Sequence, residues 1–218
     1  MSGDGSTEVA ATPVPDLRER RRRDMCSEIS LAALELFERQ GFASTTVGDI
    51  ARDAGISQST YFRHFPTKEQ SVVGFDAGLE REILAWVTEA DLAGVGLAGI
   101  EDIVERFLRR MSAANTASSD RVMRIRRLIV SDAHLRSAAI ALDEVVIARL
   151  ADALAARVPR SPSRLTAETA IMTVRVAFDS WAARVDDGDQ DADLAEIYRV
   201  ACRDLRTVVT GAAQDVTT

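Results

Sequence analysis

The stretch Thr45–Lys68, TTVGDIARDAGISQSTYFRHFPTK, is the part of the chain whose reading decides the fold. Thr46, with Asp49 three residues on, has the form of a helix N-cap and capping box. Val47, Ile50, Ala51 and Ala54 then line one face of a short helix. Gly55 ends it, at a turn that needs a residue tolerant of positive φ. Ser57 caps a second short helix on which Tyr61 and Phe65, four residues apart, look inward, and Pro66 stops it. Two short capped helices joined at a glycine make a helix-turn-helix, whose second helix lies in the major groove of DNA. Gln58, Ser59 and Thr60 fall in its first turn, where side chains reach base edges; glutamine pairs with adenine, and serine and threonine discriminate less. Arg63, His64 and Lys68 are placed to reach phosphates.

Helices extend outward on both sides. Upstream, Met25, Ile29, Ala32, Ala33, Leu36 and Phe37 recur at helical spacing until Gly41. Downstream, Thr67 caps a long helix striped by Val72, Phe75, Leu79, Ile83 and Trp86. Ile100 to Met111, Arg121 to Val130, Leu135 to Val158, Ser163 to Val185 and Leu194 to Val209 follow, about nine helices with no convincing strand. The expected fold is all-α. Residues 1–16, polar and without an apolar core, read as a disordered tail, 17–66 as a helix-turn-helix domain and 67–214 as a second helical domain.

The residues from Asp24 to Glu69 resemble the TetR family. The match runs through Gln40-Gly41-Phe42, Thr45-Thr46-Val47, Ile50-Ala51, Ala54-Gly55, Phe62-Arg63-His64-Phe65 and Lys68-Glu69. The resemblance implies an N-terminal DNA-binding domain, a C-terminal ligand-binding and dimerisation domain, and a regulator, usually a repressor, that binds a double-stranded operator. It also implies that Thr45, His64 and Lys68 occupy phosphate-contacting positions; Thr46 and Tyr61 complete the candidate DNA-binding set. One departure stands out: Phe62 occupies a position where the family often has Tyr, so no phosphate hydrogen bond comes from it, and it is read as packing. More loosely, Arg124 to Asp132 and Ala182 to Leu194 resemble the members whose C-terminal domains take acyl-CoA-like ligands.

Bulk composition is compatible with this reading. The chain of 218 residues has a net charge of −7, but Leu17 to Lys68 holds nine basic and seven acidic residues, so the acidic excess lies behind the DNA-facing segment. Two cysteines without metal or redox spacing suit a reducing, cytoplasmic setting, and no apolar run approaches the ~20 residues a membrane helix needs. Gly94 to Gly99 spells G-x-G-x-x-G, but a helix precedes it where a dinucleotide site needs a strand. Asp187 to Asp193 opens like a calcium loop but carries Ala192 and Tyr198 where Gly and Glu are needed. Neither metal nor cofactor is implied. No nucleophile elbow or Ser-His-Asp spacing marks an enzyme, which stays the competing class together with a regulator whose effector is a protein or absent.

The second domain carries two further expectations. Ile171, Val174, Phe178, Trp181 and Val185 are spaced three and four apart, as is the stripe containing Leu205, which suits packing against another helix. Apolar residues surround this helix more fully than one core requires, so a homodimer seam is expected at Ile171, Val174, Phe178, Trp181 and Leu205. Arg175 within the run is expected to pair with Asp179. The apolar side chains of the preceding helices leave room for a small-molecule effector lined by Phe75, Leu79, Trp86 and Phe107, with Arg124, Arg127 and His134 at its mouth. Such a site suits an amphipathic anion, and the looser resemblance points to an acyl-CoA or fatty acyl compound.

Overall fold

A computed structural model describes residues 17–73, 77–91, 94–114, 116–158, 162–189 and 191–215. The expected tail at 1–16 and Phe75 lie outside them. The described residues form ten helices and no strand: α1 (Leu17–Gln40), α2 (Val47–Asp53), α3 (Gln58–His64), α4 (Gln70–Val73), α5 (Ala77–Glu89), α6 (Leu97–Ala114), α7 (Thr116–Ser131), α8 (Ala133–Arg157), α9 (Ser163–Asp186) and α10 (Leu194–Asp215). The stretch expected as one long helix after Thr67 comprises α4 and α5.

Local chemistry sets the ends of these helices. Gly41 leaves α1 at φ +85°, and its N–H donates to the Phe37 carbonyl at 2.9 Å. At the end of α2, Gly55 adopts φ +67° while its N–H donates to Arg52 and that of Ile56 to Ala51, the paired bonds of a Schellman stop. Gly188, at φ +98°, repeats the device after α9, so the Asp-rich loop begins as a helix stop. The Trp181 indole N–H donates to the Ala192 carbonyl at 3.0 Å and ties that loop down. Gly99, the third glycine of the G-x-G-x-x-G string, has a packing role. A Cβ there would sit 2.3 Å from the Trp86 ring, so glycine lets the indole lie on the start of α6.

Two buried clusters organise the molecule. The first joins Ile29, Ala33, Leu36 and Phe37 of α1 to Ile50, Tyr61 and Phe65, and also takes in Val72 of α4 and Leu135 of α8. Ile125, Leu128 and Ile129 of α7 pack against it. The second joins α5, α6 and α8–α10 through Ile83, Val87, Ile100, Val104, Leu108, Leu150, Leu154, Trp181, Leu194 and Tyr198. Polar ties add to it: Arg157 donates to the Val87 and Ala90 carbonyls and so closes the end of α5 with a charge-assisted cap. The α7 helix lies between the clusters. Arg121 donates to the Ser27 hydroxyl and carbonyl, and Arg124 forms a two-pronged pair with Glu38, so α7 is clamped onto α1.

Candidate functional site

The helix-turn-helix is assembled by short-range bonds. Thr46 Oγ1 accepts from the Asp49 N–H at 3.1 Å, and Asp49 Oδ2 accepts from the Thr46 N–H at 3.0 Å, the reciprocal box that starts α2. The Thr46 hydroxyl and backbone N–H hold the Asp49 carboxyl below the usual carboxylate range. Ser57 Oγ accepts from the Thr60 N–H at 3.1 Å and starts α3. With both helices fixed, α3 turns Gln58, Ser59 and Arg63 outward, all exposed, with Thr60 half-buried beside them.

The other candidate DNA contacts sit deeper. Tyr61 is fully buried, and its hydroxyl donates to the Thr67 carbonyl at 3.1 Å, so its place is in the core, a correction to its inclusion among DNA-facing residues. Thr45 is also buried; its hydroxyl donates to the Gly41 carbonyl and accepts from the Gln40 amide. The Lys68 ammonium donates to the carbonyls of Phe42 at 2.7 Å and Thr45 at 3.0 Å and lies 3.9 Å from the Phe42 ring centroid. It braces the turn before α2. His64 closes α3, half-buried, with Nδ1 3.4 Å from Cys26 Sγ of α1. Burial, and then the charges of Arg22 and Arg63, hold its imidazole below its ordinary pKa. Phe62, read from sequence as packing, is 51 % exposed on the outer side of α3.

A cavity of about 410 Å³ opens where α7 meets α1, α4, α8 and α9. Its apolar wall includes Val72, Ile125, Ile129, Leu142 and Phe178; its polar groups are Ser27, Arg121, Arg126 and Asp143. Arg126 is the most enclosed cation, its side chain 17 % exposed, 4.8 Å from the Phe178 ring and 3.6 Å from Asp179. Burial lowers its pKa and raises that of Asp143, which Arg175 pairs at 2.9 Å. The expected Arg175–Asp179 pair is thus replaced: Arg175 reaches across to α8, and Asp179 faces Arg126.

The structure does not bring the sequence-predicted ligand set to this cavity. Leu79, Trp86 and Phe107 pack against the second core. Arg124 pairs with Glu38 and Arg127 with Asp186 at the surface. His134 is exposed and stacks on Phe42, with centroids 6.1 Å apart. Of the arginines on this helix, Arg121 and Arg126 line the cavity. The pattern held a signal for the latter: Val122, Arg126 and Ile129 are spaced four and three apart, which puts Arg126 on the apolar stripe.

The residues of the expected seam fall at two depths. Trp181 is buried, and Ile171, Val174 and Phe178 are half-buried against the chain's own second core, because α8 and α10 already cover that side of α9. The uncovered apolar face is the adjoining one. Met172 and Val176 of α9, with Val200 and Val208 of α10, are exposed and line a groove that also contains the half-buried Leu205. No described helix is long and apolar enough to cross a membrane.

Residues 29–70 match the family described as bacterial regulatory proteins, tetR family. Over 196 residues the chain is 29 % identical to the HTH-type transcriptional regulator TcmR of Streptomyces glaucescens, covering 76 % of this chain and 84 % of that one. Over 49 residues it is 47 % identical to MftR of Mycobacterium tuberculosis, named for transcriptional regulation of mycofactocin biosynthesis, covering 22 % of this chain and 25 % of that one. Among solved structures, NalD, the secondary repressor of the MexAB-OprM multidrug efflux pump in Pseudomonas aeruginosa, superposes with a TM-score of 0.51 at 19 % identity, over 83 % of this chain and 96 % of that one.

Proposed function

We propose that the chain is a DNA-binding transcriptional regulator of the TetR family, a homodimeric repressor released from its operator by an amphipathic acid. The observation that carries the DNA reading is the outward face of α3, where Gln58, Ser59 and Arg63 stand exposed on a helix fixed from beneath by Tyr61 and Phe65. The head comprises residues 17–66 and the body 67–214. Gln58 reads base edges and Arg63 meets phosphate. Thr45 and Lys68 hold the turn that aims α2 and α3. Retention on duplex DNA that weakens steeply with salt tests this; retention indifferent to salt overturns it.

Dimerisation is supported by the apolar face of α9 and α10, and its occupant is a second copy related by a two-fold axis. Exposed Met172, Val176, Val200 and Val208 then become buried. Val176→Asp places a carboxylate in that seam, and the protein is expected to run as a monomer that has lost operator binding. A Val176→Asp protein that remains dimeric moves the interface elsewhere.

The effector reading rests on the cavity beside α7. Its apolar wall suits a fatty acyl chain, and Arg126 and Arg121 supply the charge for the carboxylate of a fatty acid or the phosphates of an acyl-CoA. Dodecanoate is expected to release the protein from DNA, and Arg126→Leu to abolish that response while DNA binding without ligand persists. Release that is unchanged in Arg126→Leu overturns this placement of the ligand.

A further inference from the structure

We propose that Phe62 is a specificity-determining residue that reads the 5-methyl group of a thymine in the major groove. The inference rests on the DNA-binding reading above and goes beyond it, to the base that this chain selects. Phe62 lies on the outer side of α3, with Gln58 and Ser59 one turn earlier and Arg63 beside it, all exposed. Its own ring is 51 % exposed. It cannot fold inward, because Tyr61 and Phe65 already fill the space beneath α3. The edge of one ring meets the face of the other, Phe62 and Tyr61 lying 5.6 Å apart at 88°, which fixes the direction in which Phe62 projects.

The chemistry of the groove narrows what this ring can meet. A phenyl has neither donor nor acceptor, so it makes no hydrogen bond to a phosphate or a base edge. Among the groups that base pairs display in the major groove, the thymine methyl is the apolar one. Contact with it removes water from both surfaces, and at ~0.8 kcal/mol per buried methyl-sized group the effect is roughly fourfold in affinity per half-site. Cytosine and uracil lack the methyl, so the contact discriminates thymine from both. Gln58 and Phe62 would then divide the reading of adjacent base pairs, one by hydrogen bonding and the other by shape.

The test uses the full-length protein and a duplex library with a random centre. Sites are selected with the wild type, and each thymine of the enriched sequence is replaced in turn by deoxyuridine, which removes only the methyl. One thymine in each half-site is expected to show roughly a fourfold loss with the wild type and none with Phe62→Ala. Phe62→Leu, which keeps an apolar tip, should retain part of the thymine dependence, and matching thermal midpoints for all three proteins separate contact from folding. If no deoxyuridine substitution matters, or if Phe62→Ala weakens every sequence equally, the proposal is overturned while DNA binding stands. Failure to enrich any sequence from the library would overturn the DNA-binding reading as well.

Discussion

The two ends of the molecule are written in different ways. In the head, the helices that carry the proposed DNA contacts are set by bonds spanning three residues: Thr46 with Asp49, Ser57 with Thr60, Gly55 with Arg52. In the body, the cavity is set by residues far apart in the chain, such as Arg126 of α7 against Asp179 of α9, or Asp143 of α8 against Arg175 of α9. A capped helix-turn-helix fixes the direction of its side chains within one short segment. A cavity between long helices depends on which turn of each helix faces which neighbour, and a shift of one residue rotates a side chain by about 100°. The family match, to residues 29–70, lies largely within the head.

That division has a limit, and the largest expected effect tests it. Val72, Leu135 and the α7 residues Ile125, Leu128 and Ile129 belong with the core of the head, so the head is not packed alone. Phe37→Ala opens a hole in the first cluster and should cost about 3–5 kcal/mol; Leu108→Ala, in the second, about 2–5 kcal/mol. Each should lower one shared unfolding transition in calorimetry. Two separated transitions, with Phe37→Ala moving only the first, would break the molecule into independent units.

A smaller effect sharpens how the first residues of the body brace the head. The Lys68 ammonium bonds two carbonyls at the turn before α2, so Lys68→Ala leaves acceptors without their donor. A loss of about 1.5–3 kcal/mol in urea unfolding is expected, with the salt slope of DNA binding reduced by less than one ion. Unchanged stability together with a slope lowered by a full ion would return Lys68 to the phosphates.

Much of the head was legible because its signals are local. The caps, the glycine stop and the inward pair Tyr61 and Phe65 stand in the sequence at fixed offsets. What escaped was depth. Thr45 and Lys68 suit a phosphate by residue type, yet both turn their polar atoms to nearby carbonyls. Phe62 suits a core by type, yet the core beneath α3 is already full. In the body, helix positions were legible from apolar periodicity, whereas the faces were not. Arg124 and Arg127 share a side, but that side meets Glu38 and Asp186, and Arg126 between them turns to the cavity. For α9 the same holds: apolar residues lie on more than one of its faces, and periodicity alone does not say which stripe the neighbouring helices cover.

The smallest expected effect joins the head's electrostatics to its fold. His64 is held below its ordinary pKa by burial first and then by Arg22 and Arg63, with Cys26 as its near neighbour on α1. As pH falls below about 6.5, the unfolded chain takes up the proton before the folded one does. This group's contribution to stability is therefore fully present above that pH and is lost as the medium acidifies through the folded-state value. The group is one half-buried imidazole, so the slope is shallow. Bound DNA acts in the opposite direction, because a nearby phosphate favours the imidazolium and the complex takes up the proton that the free head resists. Between pH 7.5 and 5.5, stability in urea should decline more for wild type than for His64→Gln, while DNA affinity should rise more for wild type. Parallel curves for the two proteins in both measurements would separate His64 from the phosphates and leave its contact with Cys26 a matter of packing.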